Sequence, residues 1–354
     1  MNGVSKLCAA LAAVATLGFA GAASAETYLR YNESGPNRGS RADAVQFFAD
    51  RVGELSNGEI KVDIIWGGAL LGFKATADGV KNGVADLGTV LAAYAPNQMK
   101  ALSIGDLPIN ESSDAWVGMR AMYDLMTTNQ QLKDSLAKQN SVYVTNFHST
   151  AVQIDCREGI EINTLADLAG LKMRASGIYA KILADLGVNL ISLSYDEVYQ
   201  AYDSGLIDCE AGYFYTIKAY KLYEVIGKVY RIDFGQIAGF AVIANQDRWN
   251  SLTEAERDII RQAAVEMIDH FAEVQITDID NVVASLKAGN KVQVIDMQQA
   301  FRDELFSAGK TYIEAWKEES AADGLDADGI VDSYTALLDK YTQIRDTQGY
   351  PWAR

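Results

Sequence analysis

Residues 27–91 read TYLRYNESGPNRGSRADAVQFFADRVGELSNGEIKVDIIWGGALLGFKATADGVKNGVADLGTVL, and their hydrophobic pattern decides the fold class. Thr27 to Tyr31 is a short β-prone run, and the loop after it holds Gly35, Pro36 and Gly39. From Arg41 to Leu55 the apolar residues recur with helical period, so that Ala44, Phe48, Val52 and Leu55 share a face. Ser56-Asn57-Gly58 stops that helix. Ile60 to Trp66 alternates as a strand until Gly67-Gly68 breaks it. A helix over about Ala75 to Asn82 then leads to a strand from Ala85 to Leu91. This βαβαβ order predicts a mostly parallel sheet covered by helices.

The theme repeats further on. Val142 to Phe147 and Leu171 to Arg174 read as strands, Ile178 to Leu186 as a helix, and Ile191 to Leu193 as a strand. Ser194 precedes a helix through Tyr202, and Leu206 to Cys209 is a short strand. Two α/β lobes follow from this pattern. One helix is longer than a lobe needs. Thr253-Glu254-Ala255-Glu256 is a capping box, and no Gly or Pro follows until Gly289. A helix of about 30 residues spans roughly 45 Å, enough for a strut crossing both lobes; the alternative is two helices broken near Thr277-Asp278. Only four prolines occur in the chain, which excludes a Pro-rich linker.

Residues 1–25 read as a secretory leader, with Lys6 before an Ala/Leu/Val-rich stretch and Ala23-Ser24-Ala25 as a small-x-small cleavage site. Cutting after Ala25 leaves a mature chain of 329 residues with net charge −17. Such acidity argues against a protein that tracks nucleic-acid phosphates. A hydrophobic fraction of 49 % argues against disorder. The mature chain keeps two cysteines, Cys156 and Cys209. An even pair in an oxidising compartment suggests a disulfide; the alternative is two unrelated buried thiols.

Catalytic signatures are missing: there is no H-E-x-x-H, G-x-S-x-G, phosphate-loop or dinucleotide-binding glycine motif. The histidines are His148 and His270. His148 ends a predicted strand, where a side chain can line a cleft, and His270 falls within the long helix. Asp326-Ala327-Asp328-Gly329 has a calcium-loop flavour, but Gly324 and Thr335 fall at ligand positions. Helix capping by Asp328 is the better reading. No metal and no cofactor is expected. An exported two-lobe protein without catalytic machinery suggests a receptor that closes on a solute about a hinge.

Four stretches, in order, carry a family resemblance. Leu165-Ala166-Asp167-Leu168-Ala169-Gly170-Leu171-Lys172-Met173-Arg174 resembles the D-L-K-G-L-K-I-R signature of the substrate-binding proteins of TRAP transporters, the DctP-like family. Tyr195 to Asp208 is similar to the family's F-S-E-V-Y-x-A-L-Q-x-G-V-V-D-G. Lys221 to Val225 matches K-F-Y-E-V. Upstream, Leu71-Gly72 and Gly79 to Leu87 resemble its L-G…V-x-x-G-x-x-D-M segment. The likeness runs from about Thr27 to Ser320. It implies an α/β, two-lobed periplasmic-binding-protein-like clamshell with a long helix spanning both lobes. Lobe I would hold residues 26–150 plus about 237–278, and lobe II residues 151–236 plus about 279–354. It also implies a periplasmic receptor, not an enzyme, that serves ion-driven membrane permease subunits. The expected protein is a monomer that binds no nucleic acid.

The resemblance gives Arg174 the role of pairing with a solute carboxylate. A planar guanidinium supplies the bidentate, charge-assisted clamp that Lys cannot copy. Departures from the family pattern matter as well. Gly212 stands where many members have a solute-contacting Asn, and Tyr213 where they have Pro. No Arg occupies the strand from Ser149 to Cys156, so a second anionic clamp on that strand is absent. A monocarboxylate, sulfonate or zwitterion is therefore expected over a dicarboxylate. Glu33 sits where the family places solute-contacting loop residues, with a surface charge as the alternative. Tyr195, Tyr94, Tyr213 and Phe214 are aromatic wall candidates, each with an ordinary core role as the alternative. Both cysteines fall in the second lobe by the same alignment, so their bond would brace the pocket wall. The rival readings are a periplasmic hydrolase or lyase using Glu33 and Glu210, and a sensory receptor passing its ligand to a membrane kinase.

Overall fold

A computed structural model describes residues 26–109, 113–289 and 291–354; the leader expected over residues 1–25 lies outside them. Among the described residues the strands are β1 (Thr27–Asn32), β2 (Ile60–Ile65), β3 (Leu87–Leu91), β4 (Ser141–Phe147), β5 (Ala151–Cys156), β6 (Lys172–Arg174), β7 (Asn189–Leu190), β8 (Cys209–Gly212), β9 (Lys228–Gln236), β10 (Phe240–Asn245) and β11 (Gln293–Asp296). They form two sheets, ordered β2-β1-β3-β10-β4 and β11-β9-β5-β8-β6-β7.

The βαβ pattern at the start of the chain is realised. β1 runs parallel to β2 and β3, and helix Ser40–Leu55 between β1 and β2 buries Ala44, Val45, Phe48 and Val52. The sheets as wholes are mixed rather than mostly parallel. β10 is antiparallel to β3 and β4, and β5 is antiparallel to β8 and β9. The cause is that β4 continues into the second sheet as β5 and β9 returns to the first as β10. β4 and β5, like β9 and β10, follow one another with no helix between them, so nothing in a strand-helix alternation announces the change of sheet. The strand expected over Leu206 to Cys209 lies later, at Cys209–Gly212, because the chain first turns through Gly205 (φ +72°).

The two crossings run side by side. Ser149 N donates to Ile237 O at 3.0 Å, and Ile237 N donates to Ser149 Oγ at 2.7 Å. Gly239, in the second crossing, donates its N–H to Asp106 Oδ1 at 2.7 Å. A Cβ there would stand 2.7 Å from the main-chain oxygen of Leu102, so the close approach admits only glycine.

The long helix is continuous over 36 residues, Glu254–Gly289, about 54 Å at the standard rise. Glu256 accepts from Thr253 N at 2.7 Å, and Thr253 Oγ1 accepts from Glu256 N at 3.2 Å, closing the expected capping box. Its first half buries Ile260, Ala263, Ala264, Met267 and Phe271 against β4 and helix Ser40–Leu55, and its far end reaches β11. Buried Gln275 donates to the main-chain oxygen of His148 at 2.6 Å, which ties this strut to the first crossing.

The last helix corrects one expectation. Ala327–Gln348 packs on helix Ala115–Thr128 beside the first sheet, whereas the lobe bounds that the resemblance implies put residues after about 279 in the second lobe. Trp116 explains this: its ring meets Tyr341 edge-on at 5.5 Å, and Arg345 pairs with Asp114 at 3.0 Å. The cap of that helix is Asp326, which accepts from Gly329 N at 3.1 Å. Asp328 lies within the first turn instead of capping it.

Candidate functional site

The crossings place a cleft between the sheets, and the side chains that meet there come from both. Arg174 ends β6 and is 1 % exposed. Its Nη2 donates to Tyr94 Oη at 2.5 Å, its Nε to Leu193 O at 3.4 Å, and its guanidinium carbon lies 4.8 Å from the centroid of the Tyr195 ring. Nη1 is buried and has no hydrogen-bond partner among the described residues. A planar cation held on two sides with one nitrogen uncommitted is arranged to take an acceptor.

Around it lies a cavity of about 30 Å³, room for about one or two water molecules. Tyr195, Tyr213, Tyr215 and Tyr220 wall it from the second sheet's side, with Ser176 and Thr216 supplying hydroxyls. Phe73, Leu91 and Phe240 wall it from the first sheet's side, and Ser149 and Ile237 enter from the crossings. Contacts bridge the mouth. Arg41 Nη2 donates to Tyr220 Oη at 3.4 Å, Arg38 donates to the main-chain oxygen of Ala219, and Lys74 lies 3.9 Å from Glu197. These contacts draw the walls together.

Of the expected contacts, Arg174, Tyr195 and Tyr213 line this cavity, and Tyr94 buttresses Arg174 from behind. Three residues are placed otherwise. Glu33 is fully buried, neither a surface charge nor at the cavity wall. It accepts from Arg41 Nη1 at 2.5 Å, from Gly35 N at 2.7 Å and from Thr89 Oγ1 at 2.7 Å, so its carboxylate is committed to Arg41. Gly212 borders no solute space; the Asp155 carboxyl lies over it, and a Cβ there would stand 2.3 Å from Asp155 Oδ2. Phe214 points away, its ring under Arg231 at 5.9 Å. The chain turns helical at Phe214, so its neighbours Tyr213 and Tyr215 take the cavity side. His148 is buried in the first crossing, where Nδ1 accepts from Thr150 N at 2.9 Å.

Sequence reading missed Arg41. The guanidinium is 5 % exposed, with its carbon 5.7 and 5.6 Å from the centroids of Phe73 and Phe240. A signal was available: Arg41 precedes Val45, Phe48 and Val52 by four, seven and eleven residues and so stands on the helix's buried face. A second cation therefore lines the cavity after all, from a helix and not from the strand where one was sought, and Glu33 neutralises it.

Beneath Arg174, Asp155 on β5 faces Glu210 on β8, and Glu210 faces Arg174 on β6. Glu210 Oε2 is 3.9 Å from Arg174 Nη1. Burial pushes the Asp155 carboxyl well above the carboxylate range, and the charge of Glu210 adds to this. Burial pushes Glu210 up to about 7 against the lowering pull of Arg174 and the Tyr195 hydroxyl. One residue on, Cys156 and Cys209 are joined by a disulfide across the same strand pair.

Residues 32–319 match the family model for the bacterial extracellular solute-binding proteins, family 7, DctP. The chain is 25 % identical over 307 residues to a solute-binding protein of Chromohalobacter salexigens, covering 84 % of this chain and 88 % of that one. A TRAP periplasmic solute-binding protein of Desulfovibrio salexigens has a similar structure, with a TM-score of 0.75 at 25 % identity over 92 % of this chain and 98 % of that one. So has a TRAP solute-binding protein of Rhodoferax ferrireducens in complex with copurified benzoate, with a TM-score of 0.79 at 20 % identity over 90 % and 99 %. With residues 32–319 matched, the chain belongs to the DctP family of bacterial extracellular solute-binding proteins, the receptor components of TRAP transporters and not enzymes.

Proposed function

We propose that this protein captures a small organic anion outside the cytoplasm and delivers it to the membrane permease subunits of a TRAP transporter. The observation that carries the reading is Arg174, buried at the cavity wall with Nη1 uncommitted. Its guanidinium takes the solute's acid group, and closure about the two crossings buries the pair. Four tyrosines and two phenylalanines offer flat apolar surface, while Ser176 offers a hydroxyl to a polar substituent; those of Ser149 and Thr216 are taken by Thr150, Ile237, Tyr213 and Tyr195. The benzoate complex of the Rhodoferax relative supports an acid of this size and character.

The solute is a monocarboxylate or sulfonate in preference to a zwitterion, because Glu33, the acid proposed for a solute amine, is consumed by Arg41. In this reading the chain acts as a monomer, exported by residues 1–25 and cut after Ala25. The two lobes move as units on either side of residues 148–150 and 237–239, with the strut helix limiting their path. Calorimetric titration with benzoate, a sulfonate, a dicarboxylate and an amino acid tests the class. Binding of the first two above the others is expected, and tightest binding of the dicarboxylate rejects the monoanion.

A further inference from the structure

We propose that Asp155 and Glu210 form a proton-binding site coupled to the solute site, so that an acid anion is bound together with a proton. The inference rests on the reading of Arg174 as the anion's partner. Its basis is a row of three side chains on one face of the second sheet. Asp155 on β5 is the register partner of Glu210 on β8, which is the register partner of Arg174 on β6. Residues paired in register point to the same face, so two carboxyls and one guanidinium stand in line, all buried.

The hydrogen bonding of the row is incomplete. Both oxygens of Asp155, Glu210 Oε2 and Arg174 Nη1 lack partners among the described residues. Tyr195 Oη donates to Glu210 Oε1 at 3.2 Å. Two ionised carboxylates here would put two adjacent negative charges against one cation, with three acceptor oxygens unsatisfied out of water. That arrangement costs far more than holding a proton. The charges acting on the pair are each other and Arg174. Tyr195 and Tyr202 also face it, and their hydroxyls are neutral; the latter donates to the main-chain oxygen of Asp155 at 2.6 Å. Tyr94 and Tyr213 surround Arg174 and are neutral as well. Lys228, on the neighbouring strand, turns to Glu161 and the main-chain oxygen of Ile160, and Asp208 is held by Arg157 at 2.6 Å on the outer side. Gly212 completes the site, since the space a side chain would fill holds the Asp155 carboxyl.

Coupling follows from charge. Without an anion, Glu210 shares the positive field of Arg174. An acid group on Nη1 takes over that field and adds a negative charge beside the carboxyls. The pair then takes a proton from solvent, one carboxylate becoming a carboxylic acid. Burial already holds Glu210 to about 7, so the exchange falls near neutral pH, and the two carboxyls titrate as a pair. Binding that raises the pair's proton affinity is itself favoured by protons. Affinity is therefore level below about pH 7, while the solute stays ionised, and falls by up to about tenfold per pH unit above it.

The test is calorimetric titration of the leaderless chain with benzoate near pH 7.5, in phosphate and in Tris, whose different ionisation heats report protons exchanged. Net uptake approaching about one proton per benzoate is expected. In Glu210→Gln the uptake should drop and affinity should stop falling with pH, so that the variant binds more tightly than wild type at about pH 8.5. Asp155→Asn gives a second reading of the same loss. No uptake with pH-independent affinity in wild type overturns the proposal, and so does affinity that rises with added sodium without proton exchange. Carboxyl carbon NMR of the solute-free protein separates this failure from that of the organic-acid reading. A pair titrating near neutral pH in a protein that binds no acid overturns the coupling but keeps the proton site. A pair fully ionised by about pH 5 overturns the proton site whatever the protein binds.

Discussion

Arg174 and Glu210 stand side by side on neighbouring parallel strands, Nη1 3.9 Å from Oε2, and neither atom has a hydrogen-bond partner among the described residues. At that distance the pair attracts without forming the hydrogen bonds that normally offset the burial of two charges. The site is thus not tuned for its own stability. It holds a buried cation with an unpaired nitrogen and a carboxyl beside it whose burial favours the neutral form.

Stability should register this arrangement. Burial raises the folded-state proton affinity of Asp155 and Glu210, whereas an unfolded chain titrates near the ordinary value of about 4. A raised pKa contributes stability that is present below the unfolded value and lost as pH rises toward the folded one, here between about 4 and 7. Glu210→Gln removes the loss. The variant should gain about 1–3 kcal/mol relative to wild type on going from pH 5 to pH 8 in urea unfolding. An unchanged difference between the two pH values contradicts the burial argument.

Glu33 makes a separate prediction. With Arg41 it forms a fully buried ion pair at 2.5 Å, and Gly35 N and Thr89 Oγ1 also rely on it. Glu33→Ala strands a guanidinium inside the protein. A loss of about 3–5 kcal/mol is expected in chemical denaturation. A loss under about 1 kcal/mol would show that Arg41 finds solvent or another acceptor.

How much of this was legible in the residues varies by element. The alternation from Thr27 to Leu91 and the capping box at Thr253 are local signals, and both led to the right elements because the forces that make them act within a few residues. The mixed sheets were not legible, since which strand pairs with β10 depends on residues more than about ninety positions away. Arg174 carried a family motif. Arg41 carried only its place on a buried helical face, Asp155 only a charge within the stretch from Ser149 to Cys156, and Glu210 only a carboxylate just past the expected strand, named for a rival hydrolase reading. Their meeting is a matter of register between β5, β8 and β6. Phe214 was misplaced because a one-residue step into a helix reverses which neighbours share a face.

The disulfide makes a third prediction. Cys156 and Cys209 are 53 residues apart in sequence, and in the chain-entropy model closing a loop of that size contributes about 4 kcal/mol. Replacing both by Ala should cost about 2–5 kcal/mol and lower the Tm. Because the bond lies one residue from Asp155 and Glu210, the variant should also bind the solute more weakly. A Tm unchanged by the double replacement would show that the β5–β8 pairing needs no covalent link.

The central claim is that Arg174 holds the acid group of the solute. Calorimetric titration of wild type and Arg174→Gln against the same panel of carboxylates and sulfonates tests it directly, with cooperative thermal unfolding as the check that the variant folds. Wild type should bind at least one monoanion, and the variant should lose at least about a hundredfold in affinity for it. Equal affinity in the folded variant would contradict the account.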